Sequence, residues 1–404
     1  MLNIAIMGFG TIGSGVFDVV NTNQAVLKQK LGENVNVKYV LDLRTFPGNP
    51  VESVLVHDVD VIMQDPEVKV VVETMGGVKP AFEFVSKALA AGKHVATSNK
   101  ELVEKKGTEL MALAREHNVN FFFGASVGGG IPIIRPLRLC LNAEQIDEIS
   151  GIFNGTTNYI LTEMLEKQTS FADALANAQE LGYAERNPEA DIEGHDVGRK
   201  VAILSSIVLG KKVNFDDLHV EGISKITTED IAYATEMDCR IKLLGDAKIH
   251  ADGTYTGMVA PFLVKPENPL YSVMGVFNAI KVHGNMVDDV MFYGRGAGSH
   301  ATASAVVADV IEAGQNQDRN VFGGWADEVQ KVESCGSNTT AFLVRVSGGS
   351  ERTAELEQLF GAGTVLKPAS VQNEIGYVTP VMSEKEFEEK SAQLAGLIGR
   401  IRIK

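Results

Sequence analysis

The chain has 404 residues, 45% of them hydrophobic and 22% charged, with a formal net charge of −15. That length exceeds what one hydrophobic core serves and predicts two or three domains. The acidic balance argues against nucleic acid or an anionic membrane as partner, since either would want a basic face, and favours work on small molecules.

The first segment alternates element types. "NIAIMG" has the pattern of a buried strand, "GSGVFDVVN" of a helix, "VNVKYVLD" and "VKVVVET" of strands, "PAFEFVSKALAAGK" of an amphipathic helix, and "HVAT" resumes the sheet. This spacing implies βαβ units and a parallel sheet covered on both faces, so residues 1–135 are expected to form an α/β, doubly wound domain. After "GGGIPIIRPL" comes strand-like "EISGIF", then helical stretches at 158–167, 171–181 and 195–209, then strand-like "YTGMVAPFLV" and "AIKVHGN". Residues 136–314 are therefore expected to be an α+β domain. It closes on "SHATASAVVADVIEAG", a helix rich in small residues and able to pack closely back on the first domain. The polar stretch 315–339 is the candidate linker. Residues 340–404 run βαββαβ, the order of a ferredoxin-like module.

"GFGTIG", comprising Gly8, Phe9, Gly10, Thr11, Ile12 and Gly13, lies between a strand and a helix. In that context Gly8 allows the tight turn, Gly10 lets backbone approach a pyrophosphate, and Gly13 lets helix and strand pack closely. The residues ending the second strand select the cofactor, because an acid there bonds a ribose hydroxyl and an arginine welcomes a 2′-phosphate. Asp42 and Arg44 supply both, which leaves NAD and NADP open. In "TSNKELV", Ser98 and Glu101 form a capping box that would start a helix. Lys100 then falls in the first turn, where a cation opposes the helix dipole unless an anion compensates, and at the carboxyl end of a strand, where such sheets bind ligands.

"YAERNPEADIEGHDVGRK" places Glu185, Glu189, Asp191, Glu193 and Asp196 ahead of Arg199 and Lys200. Alternating acids followed by Gly194 suggest a calcium loop, but the twelfth position from Glu189 is Lys200, and an ammonium cannot coordinate a cation. Lys200 opens "VAILSSIVLG", apolar all round and so a buried helix. Acids ringing such a lysine can hold its ammonium and bind a substrate's amino group, while the lysine exchanges a proton with a reacting oxygen. His195 is read as a helix-start residue, since no second His or Cys stands at ligand spacing. Cys140, Cys239 and Cys335 are too scattered for a disulfide framework or a zinc cluster. The start "MLNIAIMGFG" lacks the regions of a signal peptide and no apolar run reaches membrane-spanning length, so a soluble cytoplasmic protein is expected.

With "GFGTIG", "TSNKELV", "VGGGIPIIRPL", "NGTTNYIL", "LGYAERNPEADIEGHDVGRKVAIL" and "FYGRGAG" in this order, residues 3–313 closely resemble homoserine dehydrogenases. The resemblance implies a Rossmann NAD(P)-binding domain, a catalytic and dimerisation domain, and a homodimer or homotetramer. It also implies interconversion of aspartate 4-semialdehyde and homoserine with NAD or NADP, on the route to threonine, methionine and isoleucine. It makes Lys200 the proton donor or acceptor and Lys100 its companion at cofactor and substrate. Glu185 and Asp196 match the substrate-binding acids, with Asp191 beside them. Gly76, Ser98, Gly182 and Gly298 match cofactor contacts. Members bind a sodium ion through a glutamate and backbone carbonyls. Val127, Gly129 and Ile131 match the carbonyl positions, but Gly124 replaces the glutamate. The tail resembles, more loosely, an ACT regulatory domain, although "VSGGSERTAEL" lacks the acidic-x-Pro-Gly turn of amino-acid-binding members, so a module that assists assembly is expected. A non-catalytic dinucleotide sensor is the competing reading, and it would have lost Lys100 and Lys200. A semialdehyde dehydrogenase would need a cysteine nucleophile next to a base, and none of the three cysteines sits in such a motif.

Overall fold

The computed structural model describes all of residues 1–404 and divides into two compact units. The first comprises Met1–Gln145, Ala202–Phe215 and Phe292–Gln330, and the second Ile146–Val201, Asp216–Met291 and Lys331–Lys404. These borders differ from the expected 1–135 and 136–314, because two later segments fold back into the first unit. The helix His195–Leu209 belongs to the second unit through Val201 and to the first from Ala202.

Unit one is built on β1 (Leu2–Met7), β2 (Val35–Leu41), β3 (Leu55–Val56), β4 (Val68–Glu73), β5 (His94–Thr97) and β6 (Phe121–Phe122). All pair in parallel, in the order β3-β2-β1-β4-β5-β6. Their valines and isoleucines run almost uninterrupted, because both faces of a parallel sheet are covered. The order reverses between β1 and β4, and ligands of such sheets bind at that switch point. The small-residue helix Ser299–Gln315 packs on the helix Thr11–Thr22: Ser299 Oγ donates to the Thr11 carbonyl at 2.6 Å.

The polar stretch 315–339 is no loose linker over its first half. Val321 N donates to Asn120 Oδ1 at 2.7 Å, Phe322 and Trp325 are buried, and Trp325 Nε1 donates to Thr108 Oγ1 at 3.0 Å. Ala326–Val329 then pairs with Lys211–Lys212. Two buried aromatics anchor an otherwise exposed or half-buried polar segment, and local polarity concealed this.

Unit two contains a mixed sheet whose central strand, Arg240–Ile249, was not expected from sequence. It pairs antiparallel with Ile146–Ile152 on one side and Tyr255–Val264 on the other. Its Lys, Gly and Asp residues broke the apolar pattern that marks a buried strand. The last segment forms four antiparallel strands in the order 397–403, 342–347, 374–378, 364–366, with two helices, Thr353–Phe360 and Glu384–Ser391. This is the ferredoxin-like arrangement, and Phe342 stacks on Phe387 in its core at 4.0 Å. The strand Leu397–Ile403 also pairs in parallel with Tyr255–Val264, so the module continues the larger sheet. Arg400 and Arg402 of that strand both bond Glu221.

Candidate active site

In unit one the chain leaves β1 and turns into the helix Thr11–Thr22. A Cβ on Gly13 would lie 1.9 Å from the carbonyl oxygen of Gly8, so only glycine lets the helix approach the strand this closely. Around Gly10 nothing lies within 4 Å of a Cβ position. The helix has no capping side chain and no acid in its first turn, which leaves its amides and positive end to an anion. Open space over Gly10 beside uncapped amides fits a dinucleotide's pyrophosphate.

Asp42 follows β2 and turns back on this loop. Its Oδ2 accepts from Phe9 N at 2.8 Å, while Arg44 donates Nε to Oδ1 and Nη2 to Oδ2, both at 2.9 Å. The Arg44 guanidinium and the two amides, of Arg44 and Phe9, hold the carboxyl well below the usual carboxylate range. Arg44 Nη2 also reaches the Phe9 carbonyl at 3.1 Å, and its side chain is exposed. The acid and the arginine expected at the ribose are therefore one ion pair clasping Phe9.

Glu73, at the end of β4, was not singled out in the sequence. It is fully buried: Oε1 accepts from Met75 N at 2.7 Å and Gly76 N at 3.3 Å, and Oε2 accepts from Thr97 Oγ1 at 2.6 Å. Burial pushes its pKa up. It shapes the Gly76 turn at the switch point, and its only signal was one acid closing the apolar run "VKVVV". The expected Ser98 cap is displaced by one residue. Asn99 is the N-cap of the helix Lys100–Glu116, accepting from Leu102 N at 3.1 Å and donating to the Gly77 carbonyl at 2.6 Å. Lys100 is half-buried as the first residue of that helix. Gly298 precedes the helix Ser299–Gln315 at φ 133°.

The expected sodium set does not fit a cation. Where the glutamate would stand, the Asp309 carboxylate lies 2.7 Å from a Cβ built on Gly124. It accepts from Gly124 N at 2.7 Å and from Arg135 Nη2 at 3.1 Å. Burial pushes its pKa up to about 7, with Arg135 opposing. Val127 and Ile131 are buried and Gly129 sits at φ 54°, but the carboxylate beside Gly124 is committed to an amide and a guanidinium.

In unit two, the short helix Glu189–Ile192 and Gly194 lead into the helix His195–Leu209. Asp196 is 2% and Lys200 8% exposed. Lys200 Nζ donates to Asp196 Oδ2 at 2.6 Å and to the Phe153 carbonyl at 2.7 Å. Asn154 Nδ2 donates to Asp196 Oδ2 at 2.8 Å and to Asp191 Oδ1 at 2.7 Å. One hydrogen-bonded chain thus joins Asp191, Asn154, Asp196 and Lys200, and Asn154 was missed. Glu185 stands apart: it is exposed, and only its carbonyl is engaged, by Gln179 Nε2 at 2.9 Å. Gly182 lies at φ 75° in the turn before it. Thr156 Oγ1 donates to the Tyr183 carbonyl at 2.6 Å, fixing this turn to the start of the helix Gly155–Lys167. That helix begins three residues before the expected 158, because Asn154 caps it.

A switch-point sheet with a pyrophosphate turn, carried by a chain that also buries a lysine among carboxylates, defines a dinucleotide-dependent oxidoreductase. Residues 8–124 match the family model for the NAD-binding domain of homoserine dehydrogenase, and residues 132–311 match that of homoserine dehydrogenase itself. The homoserine dehydrogenase of Neisseria gonorrhoeae is 43% identical over 313 residues, 77% of this chain and 72% of its own. The crystal structure of a homoserine dehydrogenase from Thiobacillus denitrificans is 35% identical with a TM-score of 0.89, covering 100% of this chain and 98% of that one. A hyperthermophilic archaeal homoserine dehydrogenase mutant in complex with NADPH is 28% identical with a TM-score of 0.64, covering 77% of this chain and 97% of its own. The chain belongs to the homoserine dehydrogenase family, and the protein is an NAD(P)-dependent oxidoreductase interconverting aspartate 4-semialdehyde and homoserine. No helix is long and apolar enough to cross a membrane.

Proposed function

We propose that Lys200 exchanges the hydroxyl proton of homoserine, that Glu185 and Asp196, with Asp191 beside them, bind the substrate, and that Asp196 also holds Lys200 in place. The observation that carries this reading is the Lys200 ammonium, buried between the Asp196 carboxylate and the Phe153 carbonyl. A buried lysine held by two acceptors has a fixed Nζ, as proton transfer to a positioned oxygen requires. NAD or NADP, when bound, supplies the hydride acceptor and donor. The turn Gly8–Gly13 with Phe9, Thr11 and Ile12 would hold its pyrophosphate. Asp42 and Arg44 would meet its ribose, and Gly76, Ser98, Gly182 and Gly298 would contact it. Lys100 is assigned to the cofactor and substrate on the family pattern.

The protein is further read as a cytoplasmic homo-oligomer, a dimer or tetramer. The strand Asp288–Arg295 lies at a sheet edge with Met291 and Tyr293 exposed, next to exposed Met286 and Val287. A second copy would cover that apolar surface. The catalytic reading is tested by mixing purified protein and homoserine with NAD or NADP in parallel and following the absorbance of reduced nicotinamide. Homoserine-dependent reduction that disappears in Lys200→Ala is expected. A Lys200→Ala protein with wild-type turnover would remove Lys200 from the chemistry.

A further inference from the structure

Asn154 ends the loop after the strand Ile146–Ile152 and caps the helix Gly155–Lys167. Its Oδ1 accepts from Thr157 N at 2.9 Å, as an N-cap side chain does. That bond decides which way the amide faces. With the oxygen turned to the helix, the two N–H groups point away from it, one to Asp191 Oδ1 and one to Asp196 Oδ2. Two carboxylates that would otherwise repel are bridged by a neutral double donor. A serine would cap the same helix end but could not span both acids, so capping alone does not call for asparagine here.

Resting on the roles proposed above for Asp191, Asp196 and Lys200, we propose that Asn154 is a positioning residue. Its cap-oriented amide fixes the separation of Asp191 and Asp196, and so the place of the substrate relative to Lys200. The rigidity comes from the helix: the amide moves only if the helix start moves. Asp196 is thereby shared between a neutral donor and the Lys200 ammonium, and Asp191 is tied to the same frame although it lies on a separate short helix.

The test separates capping from positioning. Asn154→Ser keeps the cap and removes both carboxylate contacts, whereas Asn154→Ala removes both functions. N154S is expected to keep the wild-type melting temperature and NAD(P) affinity. Its kcat/KM for homoserine is expected to fall about 10- to 100-fold, chiefly through KM, the usual worth of a hydrogen bond to a charged group. N154A should show the same kinetic loss together with a lower melting temperature. N154D, which keeps the shape and the cap but turns an oxygen on two carboxylates, should lose more than N154S. In an Asp191→Asn background the N154S penalty should shrink, because the residue acts partly through Asp191. An active wild type with N154S within about threefold of it in kcat/KM would overturn this inference while leaving the catalytic reading intact. A loss in N154S matched by an equal loss of NAD(P) affinity would also overturn it, since that marks general disruption. A Lys200→Ala protein with wild-type turnover would overturn the catalytic reading and this inference with it.

Discussion

Two lysines are buried in unit two, and the start of the helix Gly155–Lys167 serves the surroundings of both. Lys200 meets a carboxylate, which Asn154 holds from the helix cap. One turn along, Asn158 Oδ1 accepts from Lys242 Nζ at 3.0 Å, and Lys242 otherwise meets only the Val273 carbonyl and the Met274 sulfur. Lys242 thus has acceptors but no counter-ion, and burial pushes its pKa down to about 7. Burial alone does not make a lysine catalytic. What separates the two is the company: Lys200 meets the Asp196 carboxylate, itself joined through Asn154 to Asp191, whereas Lys242 meets only neutral acceptors.

The contrast breaks first at Lys200. Lys200→Ala is expected to lower turnover about 10²–10⁴-fold, the usual worth of general acid–base catalysis, with cofactor affinity unchanged; a mutant keeping a tenth of the activity would erase the distinction. Glu185→Ala should raise KM for homoserine about tenfold with little change in kcat, as loss of uniform binding does. A fall in kcat alone would move Glu185 from binding to chemistry. Arg44→Ala should reduce NADP use several-fold more than NAD use, since only NADP has a 2′-phosphate to lose; the effect is modest because Arg44 is already shared with Asp42. Equal losses would place it away from the ribose. Lys242→Met should leave kcat unchanged and alter only stability. The folded pKa of Lys242 lies below its ordinary value of 10.5, so the unfolded chain holds a proton the folded chain lacks from about pH 7 to 10. Through that window its contribution rises with pH, by up to about 1.4 kcal/mol per unit, and is flat below it. Denaturation of wild type and Lys242→Met at several pH values checks this: the wild type alone should carry the slope, and parallel curves would mean that Lys242 stays charged in the fold.

The sequence disclosed elements whose signal is local. The glycine turn, the strand-end Asp42 and the lysine at the mouth of an apolar helix all stand in short patterns that physical rules interpret. The βαββαβ tail was legible for the same reason. Asn154 was not, since "NGTTN" looks like a helix start and nothing near it in sequence points to acids 37 and 42 residues away. Glu73 and Asn99 were hidden likewise, because each does its work by bonding backbone of a neighbouring turn. The linker was misjudged because polarity was averaged over a stretch whose Phe322 and Trp325 decide its fate.

The strand Leu397–Ile403 joins the tail module to the larger sheet at Phe262 and Leu263. A chain cut before residue 340 would not shed a detachable accessory; it would leave a ten-residue strand, Tyr255–Val264, with an uncovered row of amides and carbonyls at that end. Such an edge is a template for recruiting further chains. Loss of the module is therefore expected to appear as aggregation before any change in catalysis is measured.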